Sequence, residues 1–132
     1  MERQKKIIDA SIAVKWFVEE DGSEKALALR NEHINGISIL IVPDLLFIEV
    51  INAFIYKTKN KEFLKQVNDD LWKIQMKVQK INQYILDKAS EIALVYEMSL
   101  YDSIYVALSQ IYGCPIYTAD KKLAEYENAI KI

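Results

Sequence analysis

Four acidic residues in this chain sit where acids are unusual. Asp9 is embedded in IIDASIAV, Glu49 in LLFIEVINAF and Asp102 in LYDSIYVAL, while Asp120 closes CPIYTAD. The other carboxylates fall in charged stretches that read as solvated surface. Each of the four has a structural reading beside a chemical one. Asp9 and Asp120 stand equally well as helix caps, and Asp102 forms an S-x-x-D capping box with Ser99. Glu49 resists such a reading. It lies well inside a segment of Leu45, Leu46, Phe47, Ile48, Val50, Ile51, Ala53 and Phe54, apolar all round, which predicts a buried helix. A lone buried glutamate must go neutral or find a partner, and its own helix offers only Asn52.

If the four converge, their repulsion sets the chemistry. Two carboxylates about 5 Å apart repel by roughly 3 kcal/mol at an effective dielectric near 20. A hard divalent cation, Mg²⁺ or Mn²⁺, resolves this with oxygen ligands, retained waters and a substrate phosphate. An all-acid site therefore points to phosphate-ester hydrolysis by a metal-activated water. Ser11 and Thr118 are candidate hydroxyls for orienting Asp9 and Asp120, with ordinary turn roles as the alternative.

The elements that must position these acids follow from the apolar pattern. Lys5 to Ala10 reads as a strand followed by a helical pattern through Val18, with Ser23 capping a second helix to about Glu32. Ile37 to Val42 is a continuous apolar run, expected of a strand buried on both faces. Pro43 and Asp44 end it and start a helix to about Tyr56. Phe63, Val67, Leu71, Ile74 and Met76 support a fourth helix, and Lys77 to Ile81 a short strand. Ile85, Ala89, Ile92, Leu94 and Val95 mark a helix from Gln83 to near Met98. Ser99 caps another over Tyr101 to Tyr112, closed by Gly113 and Pro115. Cys114 to Thr118 reads as a strand, Asp120 to Glu127 as a last helix and AIKI as an edge strand. Alternating strands and helices predict a mainly parallel sheet covered on both faces, where ligands bind beyond the carboxyl ends of the strands.

Composition narrows the alternatives. With 132 residues, 52% hydrophobic, three Gly and two Pro, one domain over 1–132 is expected. A single cysteine, Cys114, excludes an intrachain disulfide and multi-thiolate zinc sites, and it reads as a buried inert thiol. The one histidine, His33, lies in a polar stretch and reads as favouring a helix C-terminus. One histidine also excludes HExxH zinc sites, and no glycine-rich phosphate loop is present. Seventeen basic residues against 19 acidic, a net charge of −2, argue against binding nucleic acid through broad phosphate neutralisation. MERQKK leads into a short strand, and no apolar stretch approaches a membrane span, so a soluble cytoplasmic protein without membrane contact is expected.

Together the four segments resemble the PIN-domain family, most closely its VapC-type toxins, over nearly the whole chain. DASIAVKWFVEE is similar to the first motif, with Asp9 at its acid and Ser11 at its hydroxyl. PDLLFIEVINAF is similar to the second, with Glu49 and the amide of Asn52; YDSIYVALS to the third, led by Asp102; YTAD to the fourth, with Thr118 and Asp120. The resemblance implies a three-layer α/β/α sandwich and a ribonuclease that hydrolyses RNA phosphodiesters with Mg²⁺ or Mn²⁺. It also implies that Asp9, Glu49, Asp102 and Asp120 carry both catalysis and metal. It further implies a homodimer and a small VapB-like antitoxin whose C-terminal segment blocks the acidic groove. Where some members carry a further acid after the fourth motif, this chain has Lys121 and Lys122. Those lysines and Lys15 are candidate phosphate contacts, with solvated surface as the alternative. The rival of a different class is a catalytically inactive PIN-like interaction module that keeps the acids. A receiver-type phosphoacceptor or an Asp-x-Asp phosphatase fails because Asp9 is followed by Ala10 and Ser11.

Overall fold

In the computed structural model, which describes residues 2–132, five strands form one sheet with every neighbouring pair parallel. The strands are β1 (Gln4–Ile8), β2 (Ser38–Pro43), β3 (Lys77–Gln79), β4 (Ile116–Thr118) and β5 (Ala129–Lys131), in the order β3-β2-β1-β4-β5. The helices are α1 (Ala10–Val14), α2 (Ser23–Ile34), α3 (Leu45–Ile55), α4 (Lys61–Lys73), α5 (Gln83–Tyr96) and α6 (Leu100–Tyr112). From β1 the chain steps outward to β2 and β3, then returns across the sheet to β4. Right-handed crossovers therefore put α1 to α4 on one face and α5 and α6 on the other, giving three layers. The order of strands reverses between β1 and β4. Such a switch point opens a crevice beyond the carboxyl ends of the two strands.

Burial explains the central strands. Ile7 and Ile8 of β1 and Leu40, Ile41 and Val42 of β2 are fully buried, as a sheet covered on both faces requires. Val106, Ala107 and Leu108 of α6 are equally buried, consistent with its contacts to β1, β2 and β4. Local caps set the helix ends. The Ser99 hydroxyl accepts the Asp102 amide at 3.1 Å, and Gly113 leaves α6 at φ 63°, a conformation that glycine adopts without strain. Asn60 and Asn82 cap α4 and α5 in the same way. Among the described residues, no helix is long and apolar enough to cross a membrane.

Several expectations need correction. The first helix stops at Val14 instead of running to Val18. Ser23 does not cap α2: its hydroxyl donates to the Val18 carbonyl and accepts the Glu20 amide, tying the preceding loop. The helix expected after Asp120 shrinks to a 3₁₀ turn at Leu123–Glu125, because the chain must double back to pair β5 with β4. Leu94 and Val95 are 83% and 76% exposed, and α3 is not buried all round, since Ile48 is 69% exposed. His33 does more than sit near a helix end. It is buried, its Nδ1 accepts the Leu40 amide, and its Nε2 donates to the carbonyls of Ile74 and Gln75.

Candidate active site

Asp9 follows the last residue of β1, and its amide donates to the Tyr117 carbonyl at 3.4 Å, which seats it against the end of β4. Its side chain is 5% exposed and makes no capping bond to α1. Two hydroxyls hold it instead. Ser11 Oγ donates to Oδ1 at 2.5 Å and Thr118 Oγ1 to Oδ2 at 2.6 Å. Each hydroxyl is itself aimed by a backbone amide, Ser11 by Ala119 at 2.9 Å and Thr118 by Asp120 at 3.0 Å. Both oxygens of Asp9 keep a further lone pair, so the clamp orients the carboxylate without consuming it. Asp120 does cap: its Oδ2 accepts the Leu123 amide at 2.8 Å.

The other two acids arrive from the helices. Asp102 lies in the first turn of α6, where the helix dipole favours a negative charge. Glu49 lies in the second turn of α3, and its Oε1 accepts a hydrogen bond from the hydroxyl of Tyr105 on α6 at 2.6 Å. The electrostatics tie all four together. Burial pushes the Asp9 carboxyl up to about 6, the bonds from Ser11 and Thr118 and the nearby Ile12 amide pull it down, and the charge of Asp120 raises it again. Burial also raises Glu49; the Tyr105 hydroxyl opposes this, while Asp9 and Asp102 add to it. Asp102 is raised by burial and by Asp120, against lowering by Ser99 and Lys122. Asp9 thus feels Asp120, Asp120 acts on Asp102, Asp102 on Glu49, and Glu49 feels Asp9. Each of the four acids is coupled by charge to another of the set.

Such a donor set is all oxygen and suits a hard cation. Among the described residues, no three acidic, histidine or cysteine side chains are drawn together tightly enough to enclose one ion. Mg²⁺ does not require such an enclosure, since it takes one or two carboxylates and completes its shell with water and substrate phosphate.

The PIN domain family model matches residues 6–129. This chain belongs to the PIN domain family. Ribonuclease VapC3 of Pyrobaculum aerophilum is 30% identical over 128 residues, spanning 92% of this chain and 93% of the relative. Among solved structures, VapC20 of Mycobacterium tuberculosis, described as a sarcin-ricin loop cleaving toxin, superimposes with a TM-score of 0.73 at 10% identity. The match covers 93% of this chain and 95% of that one. VapBC2 of Rickettsia felis, bound to a promoter DNA fragment, gives 0.69 at 15% identity, covering 98% of both chains. At those identities the two structures speak for the fold alone.

Within this PIN domain, Asn52, Lys15 and Lys121 make no side-chain bond to any of the four acids among the described residues. Asn52 is exposed and lines an apolar groove with Ile48, Ile51, Ile55 and Trp72. Lys15 is buried and already engaged, its ammonium donating to Glu20 at 3.1 Å and to the Asp21 carbonyl at 2.5 Å. Lys121 is exposed, and it is the charge of its neighbour Lys122 that reaches Asp102. The residue not anticipated from sequence is Tyr105. Its signal was present: three residues after Asp102 it shares that acid's helix face, and a buried tyrosine hydroxyl needs a partner.

Proposed function

We infer that this chain is a metal-dependent ribonuclease, hydrolysing RNA phosphodiester bonds with Mg²⁺ or Mn²⁺ as the toxin of a toxin–antitoxin pair. The observation that carries this reading is the placement of Asp9, clamped by Ser11 and Thr118 at the end of β1, beside Asp120 beyond β4, with Glu49 bonded to Tyr105 on the helix that Asp102 opens, at the switch point of a PIN-domain sheet. The ribonuclease name of the 30%-identical relative supports the activity, and the toxin and toxin–antitoxin neighbours support the biological role.

Asp9, Glu49, Asp102 and Asp120 would hold the ion, and residues 1–132 would act as one domain. Once bound, a divalent cation lowers the pKa of a coordinated water and neutralises charge on the phosphate being attacked. Ser11 and Thr118 fix the Asp9 carboxylate in one orientation before any ligand arrives, so no reorganisation is needed on binding. The Leu123 amide fixes Asp120 through one oxygen and leaves the other unengaged. Lys122 stands near Asp102 and offers positive charge to an RNA backbone approaching an otherwise acidic crevice. The expected partners are a small VapB-like antitoxin and a second copy of the chain. Exposed Ile48, Trp72, Leu94 and Val95 supply more apolar surface than a solitary domain needs. The substrate would be met in the cytoplasm.

Purified protein incubated with end-labelled RNA in Mn²⁺ or Mg²⁺ should cleave it, and chelation should stop the reaction. Asp9→Asn should abolish cleavage. Equal cleavage by both proteins would mean a contaminating nuclease and would return the chain to the inactive interaction module.

A further inference from the structure

Among the described residues Glu49 has one hydrogen-bond partner, and it comes from the opposite layer of the sandwich. The Tyr105 hydroxyl on α6 donates to Oε1 at 2.6 Å from a ring that is 1% exposed. Nothing else on α3 does this work. Asn52, three residues on, makes no side-chain bond to it among the described residues, the flanking positions are apolar, and the charges of Asp9 and Asp102 repel the carboxylate. A glutamate side chain has three rotatable bonds, so without a restraint that repulsion would swing it outward to water. The donor's chemistry matters as well as its place. A lysine or arginine here would neutralise Glu49 and compete with a cation, whereas a tyrosine hydroxyl restrains it and leaves its charge intact.

We propose, building on the reading of this site as a divalent-ion nuclease, that Tyr105 is the positioning residue for Glu49: its hydroxyl pins Oε1 across the sheet edge and leaves Oε2 for the ion. The ring is enclosed in the core, and the one hydrogen bond its hydroxyl makes among the described residues is to Glu49.

The test is Mn²⁺ binding to the purified chain, read as free Mn²⁺ by electron paramagnetic resonance, for wild type, Tyr105→Phe, Glu49→Gln and the double variant. Tyr105→Phe should weaken Mn²⁺ binding about tenfold, the lower end for a partner of a metal ligand. The double variant should bind no worse than Glu49→Gln alone, since the hydroxyl's one hydrogen bond among the described residues is to Glu49. On RNA, Tyr105→Phe should lower kcat and leave KM unchanged. Should Tyr105→Phe fail to fold, Glu49→Asp keeps the ring and withdraws the carboxylate from it, with the same loss expected. Wild-type Mn²⁺ affinity in Tyr105→Phe or Glu49→Asp, or additive losses in the double variant, would overturn the positioning role and leave the nuclease reading standing. A wild-type protein that neither binds Mn²⁺ nor cleaves RNA would bring down that reading and this one with it.

Discussion

The two ends of the same strands treat buried polar groups in opposite ways. At the amino ends, His33 accepts the Leu40 amide and donates to the carbonyls of Ile74 and Gln75, while Arg3 donates to the carbonyls of His33 and Ser38. These donors meet acceptors, and the bonds join α2, β2 and the end of α4. At the carboxyl ends, burial raises Asp9, Glu49 and Asp102 toward neutrality, and the charges of other acids among Asp9, Glu49, Asp102 and Asp120 add to the rise. One end therefore stabilises the fold, and the other holds a charge that only a ligand relieves. Proteins commonly carry strain of this kind where they act.

The sharpest way to break this contrast is Asp9→Asn. Cleavage should fall by more than about 100-fold, the upper end for residues one bond further from a metal. Yet the metal-free protein should become more stable. The Asp9 carboxyl rises from its ordinary 3.8 to about 6 on folding. Between those values the folded chain binds more protons than the unfolded one, so stability falls as pH rises through the window and levels off above 6. The cost of Asp9 at neutral pH is on the order of 3 kcal/mol. Thermal melts of the two proteins should therefore diverge as pH climbs from 4 to 7, with the Asp9→Asn protein the more stable, and Mn²⁺ should close the gap by raising wild type alone. A variant that melts below wild type at pH 7 would contradict the account of this edge.

His33→Ala tests the other end. It removes the acceptor of the buried Leu40 amide and the donor to two carbonyls, at a cost of about 2 to 4 kcal/mol, with cleavage below the melting transition unchanged. Loss of activity without loss of stability would mean that the two ends are not separate in function. Thr118→Val is smaller still. It keeps the side-chain volume but removes the donor to Asp9 and the acceptor for the Asp120 amide. A drop of about tenfold in Mn²⁺ affinity is expected, with Thr118→Ser close to wild type.

How far this contrast was legible in the sequence depends on whether a feature is local. Asp9 and Asp120 announce themselves at strand ends, and Ser99 and Gly113 mark the ends of α6 by their own chemistry. Glu49 stood out because an acid in an apolar helix has no local excuse. Features that depend on distant segments were hidden. Tyr105 finds its partner only once α6 and α3 meet over the sheet edge, and His33 only once α2 and α4 end beside β2. Leu94 and Val95 carry an apolar signal but face outward, because periodicity records which residues are apolar and not which face is covered. The final helix failed for a related reason. Asp120 makes its cap, but pairing Ile116 with Ala129 leaves room for a single turn before the chain must become strand.

The smallest prediction sharpens where the acidic crevice admits RNA. Lys121 and Lys122 are indistinguishable by type and nearly so by position, yet Lys122 is the one whose charge reaches Asp102, while also pairing with Glu125 at 3.5 Å. Its side chain is 49% exposed, so water screens it, and exposed charge pairs contribute about 0.2 to 1 kcal/mol. Lys122→Ala should therefore raise KM for RNA about two- to fivefold with kcat preserved, the range that such an energy allows. The effect should vanish at about 1 M salt, where the screening length shrinks to roughly 3 Å. Lys121→Ala should change neither constant. If Lys121 rather than Lys122 carries the salt-sensitive loss, the assignment of Lys122 as the cation that meets RNA beside Asp102 fails.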